Sequence, residues 1–408
     1  MHRRALCLPL TVAALLVPAA ANAHPTTHVP TLVGRAILPA DATAPAPFPG
    51  APNQDPAPAP GSVQPVGGFS ALIAGPRRGT YLAMPDNGFG NKANSRSFML
   101  RVYEVRPHWT TARGGGDGSV DILDWINLRD PDHWIPFKLV NEGTEQRYLT
   151  GGDFDIESVR MDRGGTLWFG DEFGPFLLHT DLTGRVLERP IPLPGVRSPD
   201  YPPDYPPSAP APNLASSNGF EGMAISPDGR TLYPTLEGPL ADDADKTIRR
   251  SYTFDIRERR YEPGYRVYHV ADPSYLVSDL TALDGRRFVS LERDNFQGPA
   301  AMHKRAFVVT PHSSALDKRE VLDELDIADP AQISLRGPVR PGDYGLSEHP
   351  GDPFKMPYVT IEAVLPVGGS QLAIVNDTNF GSTGRNPSLP DYSDFIRVRV
   401  PGLRRATG

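Results

Sequence analysis

Asp155-Ile156-Glu157-Ser158-Val159-Arg160-Met161-Asp162-Arg163-Gly164-Gly165-Thr166-Leu167-Trp168-Phe169-Gly170-Asp171-Glu172-Phe173-Gly174-Pro175 decides how the chain is read. A carboxylate opens an apolar strand, Gly164-Gly165 turns the backbone, a second apolar strand follows, and Phe-Gly-Pro closes a second acidic pair. Apolar runs on either side of a glycine turn are the pattern of a β-hairpin. The unit recurs. Phe69-Ser70-Ala71-Leu72-Ile73 leads through Thr80 to Met84 and on to Asp86-Asn87-Gly88-Phe89-Gly90. Phe220-Glu221-Gly222-Met223-Ala224-Ile225 leads through Pro227-Asp228-Gly229 to Glu237. Asp279-Leu280-Thr281-Ala282-Leu283 leads to Glu292-Arg293-Asp294-Asn295-Phe296. Ile361-Glu362-Ala363-Val364-Leu365 leads to Asp377-Thr378-Asn379-Phe380-Gly381.

Hairpins repeated along a chain, none able to bury its apolar face alone, are the signature of a radially repeated β architecture. We therefore expect an all-β chain folded as a single β-propeller. Five repeats are explicit, and a sixth blade is expected from less regular segments, with Pro-rich loop insertions between blades. The first strand of each repeat would be innermost. The column Ser70, Glu157, Glu221, Asp279, Glu362 would then converge at one end of the central channel. A second column, Asp86, Asp171 with Glu172, Glu237, Glu292 with Asp294, and Asp377, lies one strand away and would crowd the same end. Like charges gathered in a confined site repel unless a cation sits among them. A metal is the expectation that follows.

The chain has 408 residues, within the range of a closed all-β architecture, and its 39 glycines and 46 prolines suit short strands joined by turns. Met1-His2-Arg3-Arg4, the apolar run Ala5 to Ala21, and Ala21-Asn22-Ala23 form the basic, apolar and small-residue zones of a signal peptide over 1–23, cut after Ala23. Pro18 interrupts the run, which argues against a membrane anchor. The adjacent arginines leave the choice between the general and twin-arginine export routes open. We expect a secreted or periplasmic protein with no membrane insertion after cleavage. Cys7, the only cysteine, lies in the leader, so no disulfide can form and stability must come from packing or bound ions. Cleavage removes Arg3 and Arg4 but no acid, deepening the net charge of −7 to about −9. That excludes nucleic acid as a partner and favours a cation. The chain is taken as a monomer acting on a small molecule.

Residues 24–65 divide into a candidate strand at Thr31 to Leu38 and an Ala/Pro-rich stretch from Asp41 to Pro65, expected as a poorly packed surface loop. The propeller domain is placed at 66–400, with the strand Phe395 to Val400 pairing with Thr31 to Leu38 to close the ring. Gly114 to Gly118 lacks the Lys-Ser/Thr of a phosphate-cradling loop and is expected as a turn. Pro190 to Pro212 carries ten prolines and is expected as a solvated insertion excluded from any sheet interior. The acidic run Asp242 to Asp245 lacks EF-hand spacing and is expected as a turn.

No Gly-x-Ser-x-Gly elbow, His-Glu-x-x-His motif or cysteine cluster occurs, which disfavours a serine hydrolase or zinc protease. His179 reads as a packed strand residue. Hard oxygen ligands without thiolate or imidazole point to Ca²⁺. Asp86, Glu157, Asp171, Glu221, Glu362 and Asp377 are the candidate metal ligands, against the alternative that acids at strand ends only accept backbone hydrogen bonds. Glu172 and Glu221 are the candidate catalytic groups, and Lys92, Arg96, Arg293 and Arg385 the candidate substrate clamps, against the alternative that each cation pairs with a neighbouring acid.

The segments Asp86 to Ser95, Gly152 to Ser158, Gly170 to Leu177, Gly219 to Ala224, Leu291 to Asp294 and Val375 to Asp377 resemble the phytase-like domain family, described as having esterase-like activity of phytase. The likeness spans about residues 66 to 398 and implies an exported bacterial β-propeller related to calcium-dependent phytases. The expected function is thus a calcium-dependent hydrolase of phosphoesters or related esters. Two alternatives stay open: a calcium lactonase or carboxylester hydrolase on the same scaffold, and a non-catalytic periplasmic ligand-binding or scaffold propeller.

Overall fold

In the computed structural model each repeated hairpin supplies the two innermost strands of a blade, because only there are both faces of an apolar strand covered by neighbours. Residues 29–203, 205, 211–336, 353–380, 385 and 390–404 are described. The leader expected at 1–23 lies outside them, as do 24–28.

The first blade runs outward through Phe69–Ala74, Tyr81–Pro85, Arg101–Pro107 and Val120–Asn127. The second runs through Ile156–Met161, Leu167–Asp171, Phe176–Thr180 and Ile191–Pro192. In the third, Phe220–Ile225 and Thr231–Leu236 are followed by a split strand, Ile248–Ser251 and Phe254–Asp255, and then Arg266–His269. The fourth holds Leu276–Ala282, Phe288–Arg293, Lys304–Pro311 and Ala315–Asp323. Ile361–Pro366, Gln371–Asn376 and Ser393–Arg399 form the fifth, and the N-terminal strand Thr31–Leu38 completes it as the outer strand, antiparallel to Ser393–Arg399. This pairing of the two chain ends is the closure expected from the sequence, and it needs no covalent link.

The inner strands touch in a closed round: first to second, second to third, third to fourth, fourth to fifth, and fifth back to first. Among the described residues there are five blades, which corrects the expectation of six. Ile361–Pro366 packs directly on Phe69–Ala74, so no space remains in the ring for another blade. The core repeats the count. Five apolar clusters form, each between two adjacent blades, as where Leu72 and Phe69 of the first meet Ala363 and Val375 of the fifth. Each fully buried Leu, Val or Phe in these seams contributes about 1.5–3 kcal/mol. Blade-to-blade packing is therefore the main source of stability.

Parts of both Pro-rich stretches are tied to the fold, although Pro52 to Asp55 and Ala57 to Gly61 lie exposed as a surface loop, as expected. Thr43–Pro45 pairs with Val63–Pro65, and the Gln64 side chain is buried, accepting from Met99 N and donating to Met99 O. The insertion at 190–212 begins as an edge strand, the one sheet position that tolerates proline. Tyr201 then covers the Phe176 ring at 4.8 Å, so the insertion is anchored on the second blade through Tyr201, while Pro194, Gly195 and Pro199 stay exposed to solvent. Gly114–Gly115 is a short strand paired with Thr110–Thr111, and the turn lies at Ala112-Arg113, which corrects the turn expected from Gly114. His179 is buried, stacked on Trp168 at 4.0 Å and bonded to Thr166 and Glu188, a packed strand residue.

One local irregularity repeats in all five blades. The pairing of first and second strands slips by one residue near the start of each inner strand: between Phe69 and Ala71, Ile156 and Ser158, Phe220 and Gly222, Val277 and Asp279, and Ile361 and Ala363. The skipped residues are Ser70, Glu157, Glu221, Ser278 and Glu362. A β-bulge frees one residue from the ladder and re-aims its side chain.

Candidate metal centre

The five bulges place one residue per blade around the end of the ring where the inner strands begin. Three are glutamates, Glu157, Glu221 and Glu362, all buried. The fourth blade contributes Ser278, not Asp279, a correction of one residue to the expected column. Because strand side chains alternate faces, a slip of one residue sends the neighbour elsewhere. Asp279 instead accepts from Arg160 Nη2 at 2.8 Å and from Val364 N at 2.9 Å, which links the second, fourth and fifth blades.

A second ring comes from the residues just beyond the second-strand partners of the bulges: Asp86, Glu172, Glu237, Arg293 and Asp377. Four blades present an acid there and the fourth presents a guanidinium. Arg293 Nη2 lies 3.0 Å from Glu362 Oε1 and 3.2 Å from Glu237 Oε1. Asp171 does not belong to this ring, contrary to expectation. Its Oδ1 accepts from Asp155 N at 2.9 Å and its Oδ2 from Gly174 N at 2.7 Å, so both oxygens are spent on holding the loop. Glu292 and Asp294, also expected near the site, are bonded instead to His303 and to Lys304.

The three glutamates of the first ring and all of the second open on a cavity of about 300 Å³ lined by Asp86, Asp155, Glu157, Glu172, Glu221, Glu237, Glu362 and Asp377, with Arg293 as the single cationic side chain among the described residues. Asn87, Asn218, Asn295, Asn379, Ser217 and Thr360 add neutral polar groups. Among the described residues no imidazole or thiol lines it. Oxygens of Glu157, Glu221 and Glu362 lie within 4.8 Å of one another, and so do oxygens of Asp86, Asp155 and Glu157. Glu157 Oε2, Glu172 Oε1 and Glu221 Oε1 are buried without a hydrogen-bond partner. An unsatisfied buried oxygen costs about 1–3 kcal/mol, more when charged, so three at one point in the fold mark a site shaped for something else to fill.

The electrostatics agree. Burial, and then the charge of Glu221, pushes Glu157 well above the usual carboxylate range. Glu221 and Glu172 rise in the same way, with Glu237 the largest neighbouring charge in each case. Asp86 is raised by burial and by Asp377. Glu362 reaches about 8 through burial, although Arg293 pulls it down. Asp155 is raised to about 6, chiefly by burial. These acids cannot all ionise together unless positive charge is brought in.

Of the four candidate clamps only Arg293 lines the cavity. Lys92 donates to Asp200 O at 3.0 Å and stands 5.3 Å from the Phe173 ring centre. Arg96 is half exposed and paired with Asp55. Arg385 is buried against Asp391 and lies over Tyr358 at 4.6 Å. Those three are corrected as clamps, each taken up by a local partner. Two acids were missed as ligand candidates. Glu237 occupies the same ring place as Glu172, so hairpin-by-hairpin alignment of the repeats points to it, whereas Asp155, two residues before the bulge in the decisive stretch, has no acidic counterpart in the other repeats.

The model of a family described as phytase-like, esterase-like activity of phytase, matches residues 64–380, most of the chain. A relative in Arthroderma benhamiae, described as an uncharacterized secreted protein, is 27% identical over 328 residues, covering 62% of this chain and 64% of its own length. Among solved structures, a luciferin-regenerating enzyme is 11% identical with a TM-score of 0.36, covering 81% of this chain and 77% of its own. The PQQ-bound form of an aldose sugar dehydrogenase from Streptomyces coelicolor is 13% identical with a TM-score of 0.33, covering 91% of this chain and 100% of its own. At such scores nothing about the chemistry of this chain follows.

Proposed function

The chain belongs to the phytase-like family, and from that premise we propose that it is an exported, calcium-dependent hydrolase of phosphoesters or related esters. Export is supported by the secreted relative and by the basic, apolar and small-residue zones of residues 1–23. Among the described residues no helix is long and apolar enough to cross a membrane.

The observation that carries the proposal is the convergence of unpartnered, buried carboxylate oxygens beside one guanidinium. An all-oxygen set of Glu157, Glu221 and Glu362 fits Ca²⁺, a hard cation taking six to eight oxygen ligands, better than zinc or copper. Bound there, the ion would supply Lewis acidity and offset the negative charge of the substrate.

The remaining steps fall to the side chains of the chain. Arg293, held by Glu237 and Glu362, keeps its Nε without a partner and presents a fixed donor to an anionic substrate oxygen. Water adds to the phosphorus or carbonyl carbon, and its proton passes to Glu172 Oε1. The bond to the alcohol oxygen breaks, and the departing alkoxide takes that proton. Burial makes Glu172 a stronger base than a solvated glutamate, as a general acid–base group near neutral pH requires. Glu221 is the second catalytic candidate, through the same pocket.

The test assays purified protein on phytate, p-nitrophenyl phosphate and p-nitrophenyl acetate, with Ca²⁺ and with chelator. Phosphate release that needs Ca²⁺ and is lost in Glu221→Gln, with folding intact, is the expected result. Cleavage of the acetate alone turns the assignment to a carboxylester hydrolase. No turnover, with Ca²⁺-dependent heat stability, leaves a non-catalytic ion-binding propeller.

A further inference from the structure

We propose that the pocket holds two divalent cations and that Glu157 is shared between them, one site completed by Glu221 and Glu362 and the other by Asp86 and Asp155. The inference rests on the reading above that this pocket takes Ca²⁺, and it adds a second ion and a bridging residue. The carboxylates that approach one another closely fall into two sets whose single common member is Glu157. Within each set the ligand oxygens lie within 4.8 Å of one another, a span that one Ca²⁺ with bonds of about 2.3–2.6 Å covers. A carboxylate has two oxygens and so can serve two ions, and Glu157 Oε2 is buried with no partner of its own.

The surroundings of the two sets differ in a way that calls for a cation in each. Arg293 bonds to Glu362, so the Glu157–Glu221–Glu362 set has a guanidinium at its edge. Among the described residues the Asp86–Asp155–Glu157 set has none lining the cavity beside it. Asp86 accepts from Gly88 N and Asp155 accepts from Asn87 N, both neutral donors. One divalent ion beside Arg293 leaves the Asp86 side of the pocket without positive charge from the described residues, whereas a second ion supplies it. Amide donors alone rarely hold clustered buried carboxylates ionised.

Calorimetric titration of chelator-stripped full chain with Ca²⁺, with native mass spectrometry as an independent count, tests this. Two ions per wild-type chain are expected. Asp86→Asn and Glu362→Gln should each bind one, and Glu157→Gln should weaken both sites by at least about tenfold, since even residues behind the ligands carry 10–100-fold. Melting of each stripped variant checks that it folds, and the wild-type count stands whether or not a variant does. One ion in the wild type overturns the second site and leaves the single-ion proposal intact. Two ions with only one weakened by Glu157→Gln overturns the sharing. No Ca²⁺ binding at all overturns both this and the function proposed above.

Discussion

Arg293 Nη2 stands 3.0 Å from Glu362 Oε1, a buried ion pair between the second strand of the fourth blade and the bulge of the fifth. Four blades offer an acid at the ring place that Arg293 occupies, and among the described residues this guanidinium is the only positive charge lining the cavity. Arg293→Met should destabilise the chelator-treated protein by about 3–5 kcal/mol, because Glu237 and Glu362 lose their partner. Ca²⁺ should restore much of that loss. Urea unfolding with chelator and with Ca²⁺ measures both, and equal losses in the two would contradict a cation site.

Asp279 separates the two ways of aligning the fourth repeat. It bridges Arg160 and the backbone of Val364 inside the ring, so Asp279→Asn leaves Arg160 as an uncompensated buried charge and should cost about 3–5 kcal/mol. Ca²⁺ stoichiometry by calorimetry should not change. A lost ion would return Asp279 to the ligand column.

Stability should fall less steeply with pH when Ca²⁺ is present than when it is absent. The folded chain raises Glu362 from its ordinary 4.5 to about 8 and Glu157 and Glu221 well above their ordinary range. Between these values the folded state binds protons that the unfolded state has released, so stability falls as pH rises, by about 1.4 kcal/mol per unit for each such proton. Ca²⁺ binds the deprotonated carboxylates and should flatten the decline. Melting temperatures from pH 5 to 9 in chelator should therefore drop, and the increment from added Ca²⁺ should grow with pH. Parallel curves would refute the coupling.

Gly222, the residue after the Glu221 bulge, has no room for a side chain. A Cβ there would stand 2.8 Å from Leu280 N and 3.0 Å from the Asp279 carbonyl carbon, both backbone atoms of the neighbouring inner strand. Gly222→Ala should lower stability by about 1–3 kcal/mol and weaken Ca²⁺ binding, because the strand must shift with Glu221 on it. A melting curve and a Ca²⁺ titration of the variant check the two effects together.

Much was legible in the chain as written. The period of apolar strands and glycine turns depends on local chemistry, so the hairpins, the all-β propeller, the pairing of the two end strands and the gathering of Glu157, Glu221 and Glu362 could all be read from spacing. Three features could not. Ring size depends on how inner strands pack across seams, so the sequence did not exclude a sixth blade, whereas in the structure Ile361–Pro366 meets Phe69–Ala74 directly. A bulge shifts a strand by one residue without changing its composition, so Ser278 and Asp279 could not be told apart. Whether a charge is free or already paired is decided by residues distant in the chain: Arg160 took Asp279, the backbone of Gly174 took Asp171, and Asp391 took Arg385, while Glu157 and Glu221 each kept an oxygen with no partner. Sequence alone determined which groups carry charge and how often they recur; the tertiary structure alone decided which of those charges remain unspent, because pairing is a matter of distance in space.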